Sequence, residues 1–133
     1  MSWQEEYKRK LKTADEALEA VVSGTRIWLQ ANCGTPQVLM KALAGQSERL
    51  RDVKISHLLT WGSMPTADAR YAGSFRHNAF FIGPNVREAV AEGHADYIPI
   101  HLAEVERFME AGELSFDVAL IQVSPPEIGR AHV

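Results

Sequence analysis

The sequence predicts an open α/β domain, a mostly parallel sheet with helices on both faces, and two observations carry that reading. From residue 13 onward, segments of strand character alternate with segments of helical periodicity. Several of the strand segments are apolar on both faces, as strands covered on both sides of a parallel sheet must be. A chain of 133 residues suits one such domain and needs no disulfide or metal staple to hold a core.

The first segment, with Glu5 and Glu6 followed by Lys8, Arg9, Lys10 and Lys12, reads as a helix with a solvated charged face. Thr13 and Glu16 have the spacing of a capping box. They open a helix whose apolar face is Ala14, Ala17, Leu18, Val21 and Val22, ending near Ser23 with Gly24 as its cap. Thr25 to Gln30 is a strand, and Thr35 then caps a helix with Pro36 first, Leu39, Met40 and Leu43 inward and Gly45 at its end.

The unit recurs. Val53 to Leu59 reads as a strand, followed by a Gly62 and Pro65 loop and an irregular or helical stretch from Ala67 to Tyr71. Ala79 to Ile82 reads as a buried strand closed by Gly83 and Pro84, and Asn85 with Glu88 starts a helix ending at Gly93. Tyr97 to Ile100 is a strand, Ala103 to Ala111 a helix and Asp117 to Val123 the most apolar strand.

In such sheets ligands gather in the loops beyond the carboxyl ends of the strands. Those loops are Ala31 to Thr35, Thr60 to Pro65, Gly83 to Asn85, His101 with Leu102, and Ser124 to Pro126.

Composition excludes several classes. The net charge of −3, with acids and bases interspersed, argues against a nucleic-acid partner. The charged N-terminus has no apolar signal region and no window approaches the roughly 18 apolar residues of a membrane span, so no membrane partner and a cytoplasmic location are expected. The single cysteine, Cys33, agrees with a reducing compartment. The histidines His57, His77, His94, His101 and His132 show no metal-binding spacing, and no metal is expected.

The loop Ala31-Asn32-Cys33-Gly34-Thr35 leads from a strand into a helix start, where free amides can hold an anion, but it has neither of the glycine spacings of nucleotide-binding loops. Cys33 could be a nucleophile there if His57 or His77 met it in space, or a small packed residue. The stretch from Phe75 to Asn85 interleaves Arg76, His77, Asn78 and Asn85 with aromatic residues, which suits either a pocket wall or a hydrogen-bonded strand entry.

The run from Phe75 to Val90, FRHNAFFIGPNVREAV, continued by Gly93-His94-Ala95-Asp96-Tyr97-Ile98-Pro99-Ile100, closely resembles the N-terminal domain of the acetyl-CoA hydrolase/transferase family, which includes 4-hydroxybutyrate and butyrate:acetate CoA-transferases. The Asn32-Cys33-Gly34-Thr35-Pro36-Gln37 loop and the Val118 to Pro126 segment, VALIQVSPP, match as well, so the resemblance runs from about Tyr7 to Pro126.

The resemblance implies the fold of a family I CoA-transferase N-terminal domain and transfer of coenzyme A between an acyl-CoA and a small carboxylate such as acetate, with hydrolysis as a related activity. It implies no cofactor or metal, coenzyme A entering only as the substrate thioester. The family's nucleophile is a glutamate in a second, C-terminal α/β domain that is absent from this chain, so no catalytic residue is assigned here. Residues 1–126 are read as the N-terminal domain and 127–133 as a divergent tail left by truncation or a frame change.

By motif match, Cys33, Gly34, Pro36 and Gln37 in the first loop and His77, Asn78, Gly83, Pro84 and Asn85 in the third are expected to line the substrate cleft. The partners implied are acyl-CoA, small carboxylates, the C-terminal domain and, at full length, further copies in a homo-oligomer. The alternatives are a non-catalytic binding module for CoA or a carboxylate and an inactive fragment.

Overall fold

The structure, a computed structural model, describes residues 2–126; the expected tail, 127–133, lies outside the described residues. Two short helices open the chain, α1 (Trp3–Lys10) and α2 (Ala14–Ala17). Each starts with a capping box, Ser2 with Glu5 and Thr13 with Glu16, so both N-termini are satisfied locally.

The expected longer helix to Ser23 is instead α2 followed by a 3-10 turn at Leu18–Ala20. Arg49 explains the exit. Its guanidinium donates to the carbonyls of Leu18 (2.8 Å) and Val21 (2.7 Å), holding the turn while both side chains enter the core.

Five parallel strands follow, with the spatial order β4-β3-β2-β1-β5. They are β1 (Arg26–Leu29), β2 (Val53–His57), β3 (Phe75–Ala79), β4 (Ala95–Tyr97) and β5 (Val118–Leu120). Helix α3 (Gln37–Gly45) links β1 to β2, α4 (Pro84–Ala91) links β3 to β4, and α5 (Leu102–Glu110) carries the chain from one edge of the sheet to the other. Right-handed crossovers put α3 and α4 on one face and, because the last connection runs backwards, α5 on the opposite face.

The two faces differ in chemistry. Ile27, Leu29, Val53, Ile55, Phe75 and Ala79 meet Met40 and Leu43 of α3, Val86 of α4 and Leu18 and Val21 in one buried core. Register sets Ile27 beside Ile55, Ile55 beside His77 and His77 beside Ala95. The alternate residues Lys54, Arg76, Asn78 and Asp96 lie on the other, more exposed face, where Arg76 grips both carboxylate oxygens of Asp96 at 2.6 Å. Trp28 on that face packs against Phe80 and Phe116.

Two strands lie earlier than the sequence suggests. The third occupies Phe75–Ala79, not Ala79 to Ile82, and the fourth Ala95–Tyr97, not Tyr97 to Ile100. The cause is alternation: Arg76 and Asn78 point to the half-exposed face while Phe75, His77 and Ala79 point into the core. The apolar run Phe80-Phe81-Ile82 is a loop that leaves Phe80 buried and Phe81 exposed. No helix among the described residues is long and apolar enough to cross a membrane.

Candidate functional site

Three loops at the carboxyl ends of β1, β2 and β3 are tied into one rim. Beyond β1 the chain turns through Asn32, whose φ of 53° lies in the left-handed region that asparagine tolerates. The Asn32 amide donates to the Leu59 carbonyl at 2.7 Å, extending the parallel pairing of β1 and β2 by one bridge with Thr60.

Thr35 was expected to cap α3, but Pro36 occupies the cap position. The Thr35 hydroxyl instead donates to the Asn32 carbonyl (2.8 Å) and accepts from the Trp61 amide (3.3 Å). It joins the first two loops.

Gln37, the first residue of α3, grips the same loop from the other side. Its Nε2 donates to the Trp61 carbonyl at 3.0 Å and its Oε1 accepts from the Ser63 amide at 2.9 Å. Gly62 between them has a φ of +85°, and a Cβ there would lie 2.7 Å from the Gln37 carboxamide. Both the backbone angle and the clamp therefore demand glycine.

The third loop closes the rim. Gly83 is the N-cap of α4 and Pro84 its first residue, so Asn85 is free of the capping role expected of it. Its Nδ2 reaches the Gly62 carbonyl and Thr60 Oγ1, both at 3.2 Å. A Cβ on Gly83 would lie 3.2 Å from the Thr60 carbonyl, which is why these loops can approach so closely.

The structure thus brings Gln37, Gly83, Pro84 and Asn85 together around Thr60-Trp61-Gly62-Ser63. Cys33 is exposed in the first loop, Gly34 packs against the Gln30 side chain, and Pro36 is buried. His77 and Asn78, placed in the third loop by the sequence, lie within β3, on opposite faces of the sheet. Asn78 faces Ser56 across the more polar face; His77 is in the core.

His77 belongs to a second polar cluster beneath the rim. His57 Nδ1 donates to the Leu58 carbonyl at 2.6 Å, which leaves its Nε2 to accept from His77 Nδ1 at 3.1 Å. His77 Nε2 then accepts from the Thr66 hydroxyl at 2.9 Å. Each nitrogen has one partner and each ring carries one proton, so the tautomers follow from the chain of bonds.

Burial holds both imidazoles neutral. Desolvation, with the neighbouring His57 adding to it, pushes His77 down to about 3, and desolvation also lowers His57 against the opposing bond to Leu58. Neither ring hydrogen-bonds the exposed Cys33. No group of three or more potential metal ligands gathers among the described residues.

A cleft of ≈ 450 Å³ opens beside the rim, lined by Ser63, Met64 and Asn85 and by the carboxylates of Asp68, Glu88 and Glu92. Thr60, Trp61, Gly62 and Ser63 fall in a loop expected at the ligand end but, like Thr66, were not among the residues expected to line the cleft. The signal for four of them was local: a tryptophan beside a glycine, straight after a strand, in a segment with no apolar periodicity.

A parallel sheet with helices on both faces and the loops at its carboxyl end tied into a rim defines an open α/β domain. Residues 1–130 match the family described as Acetyl-CoA hydrolase/transferase N-terminal domain, and the chain belongs to that family. It is 36% identical over 127 residues to the 4-hydroxybutyrate coenzyme A transferase of Clostridium kluyveri, covering 96% of this chain and 30% of that protein. It is also 36% identical over 128 residues to the butyryl-CoA:acetate CoA-transferase of Anaerostipes caccae, covering 94% of this chain and 28% of that protein.

Among solved structures, RipA from Yersinia pestis superposes with a TM-score of 0.84 at 21% identity, over 96% of this chain and 32% of that one. The 4-hydroxybutyrate CoA-transferase of Porphyromonas gingivalis superposes at 0.71 and 24% identity, over 96% of this chain and 28% of that one. These likenesses establish the fold. The chain spans about three tenths of the length of such relatives.

Proposed function

We propose that this domain supplies one wall of the acyl-CoA site of a CoA-transferase or acetyl-CoA hydrolase, the nucleophile being a glutamate of a second domain. The observation that carries the reading is the rigid rim built by Gln37, Thr60 to Ser63 and Asn85 at the ligand end of the sheet, in a chain of this family.

In the reaction the glutamate carboxylate attacks the thioester carbonyl, the carbon–sulfur bond breaks, and an acyl-glutamyl anhydride and CoA thiolate form. The thiolate then attacks the glutamyl carbonyl and releases the acyl group as a carboxylate, leaving a glutamyl-CoA thioester. An acceptor carboxylate reverses these two steps with a new acyl group; water in its place gives hydrolysis.

The domain's contribution is placement. Gln37 and Asn85 hold the rim, Cys33, Gly34, Gly83 and Pro84 border it, and His77 with Asn78 support the strand beneath. A carbonyl held at a fixed distance from a carboxylate reacts without further ordering of either group.

The test joins residues 1–126 to the remaining length of the Clostridium kluyveri relative. Acetyl-CoA should then exchange its CoA with labelled butyrate, and borohydride should trap a glutamyl-CoA adduct. A folded chimera that binds acetyl-CoA and forms no adduct overturns the proposal.

A further inference from the structure

The segments at the ligand end of the sheet are 30–37, 58–67, 80–85, 98–102 and 121–126, and none of them contains a lysine, arginine, aspartate or glutamate. Among the described residues, every lysine, arginine, aspartate and glutamate falls in another segment of the chain. Sites that hold phosphates do so with arginine, lysine or a glycine-rich cradle of amides, and the described residues of these segments supply no cation. The adjacent cleft is lined by Asp68, Glu88 and Glu92, which repel phosphate. A cleft lined by two arginines, Arg51 and Arg70, lies against Ser74 and Gly73, at the amino end of β3 and so at the opposite end of the sheet.

Coenzyme A has two chemically distinct parts. Its nucleotide end carries the phosphates; its acyl-pantetheine arm is uncharged and amphipathic, with two amides along a flexible chain. On the reading above, only the second part matches this end of the domain.

The rim also presents a specific group. Trp61 is 54% exposed and makes no aromatic contact with Trp28, Phe80 or the other paired rings. Its backbone is bonded on both sides, to Thr35 at the amide (3.3 Å) and to Gln37 at the carbonyl (3.0 Å). Fixing the backbone beneath an exposed indole pre-organises a contact surface at low entropic cost to whatever it meets.

We infer that the uncharged acyl-pantetheine arm lies across Trp61, that Gln37 is the positioning residue that presents this ring, and that the nucleotide phosphates are held outside this domain. This rests on the proposed function. It goes further in assigning the two halves of the substrate to different parts of the enzyme.

The experiment follows the three indole N–H resonances of the 133-residue chain by NMR, with Trp61→Phe identifying the signal of Trp61. S-acetylpantetheine and adenosine 3′,5′-bisphosphate are titrated separately. S-acetylpantetheine should move the Trp61 signal, with a dissociation constant little changed by about 0.5 M salt, because no fixed charge takes part.

Trp61→Ala should weaken that binding roughly tenfold. Gln37→Met should weaken it in the same direction, and the double variant should bind no more weakly than Trp61→Ala alone, since Gln37 acts through the ring. Additive losses would assign Gln37 a contact of its own and overturn its positioning role.

If adenosine 3′,5′-bisphosphate moves the Trp61 signal and S-acetylpantetheine does not, the inference fails while the transferase reading stands. If neither probe binds, the inference fails, and the glutamyl-CoA trap decides the transferase reading independently.

Discussion

Two polar clusters sit one above the other at the carboxyl ends of β2 and β3, and they have opposite fates. The lower one, Leu58-His57-His77-Thr66, is buried and closed, every nitrogen and hydroxyl spent on a neighbour. The upper one, Thr35-Gln37-Trp61-Asn85, spends its side-chain amides on the loop from Thr60 to Ser63 and leaves the Trp61 indole, like the nearby loop residue Cys33, exposed. A polar group that is completely satisfied inside the fold has nothing left for a ligand. The histidines, chemically the more versatile residues, are therefore the structural pair, and the amides and tryptophan border the candidate site.

Acid should separate the two clusters most strongly. Both histidines have folded pKa values below the ordinary 6.5, so the unfolded chain takes up protons that the folded chain refuses. Stability should be full above pH 6.5 and fall as pH drops toward the folded values, by up to roughly 1.4 kcal/mol per pH unit from His77, with His57 acting in the same direction. Urea unfolding between pH 6.5 and 5.5 isolates this effect, because carboxylates held low in the fold, such as Asp96 and Glu16, cost stability only as their unfolded counterparts, with ordinary values of 3.8 and 4.5, take up protons below that window. A flat profile there would mean the rings are not buried as described.

His77→Leu comes next. It strands the Thr66 hydroxyl and His57 Nε2 without partners and should cost roughly 2–4 kcal/mol in urea unfolding. The same variant should show a shallower acid slope, one histidine having gone.

Gly62→Ala attacks the upper cluster. The φ of +85° and the pinned Gln37 carboxamide both oppose a side chain, and a loss of about 1–2 kcal/mol is expected by thermal unfolding. Since Trp61 sits next to it, indole emission should shift too; unchanged stability and emission would show that the clamp is loose.

The smallest effect belongs to the polar face of the sheet. Arg76→Ala removes the bidentate pair with Asp96, but both side chains are more than 40% exposed. Solvent screening should keep the loss below about 1 kcal/mol, and moderate salt should shrink it further.

Much of this architecture was legible in the residues themselves. The alternation of strands and helices, the Thr13–Glu16 capping box and the loops at the carboxyl ends of the strands all follow from local pattern, because each depends on a few adjacent side chains. The third strand was misplaced for a related reason: Phe80-Phe81-Ile82 is the more apolar run, but sheet pairing rewards alternation at Phe75–Ala79. Gln37 and Asn85 were named for the site from motif alone. Their grip on residues 60–63 depends on loops more than twenty residues apart in the chain.

What the sequence by itself determined was the class of fold, the family and the absence of charge from the described segments beyond the strands' carboxyl ends, since these are properties of residue type and order. The tertiary structure alone decided which polar residues face inward. His57 and His77 are twenty residues apart, and nothing local distinguishes a histidine that will meet substrate from one that will meet another histidine. Parallel pairing of β2 with β3 puts His77 beside Ile55 and lets its ring meet that of His57 under the helices, and desolvation there keeps both rings neutral. Those same strand ends lift Trp61 into solvent.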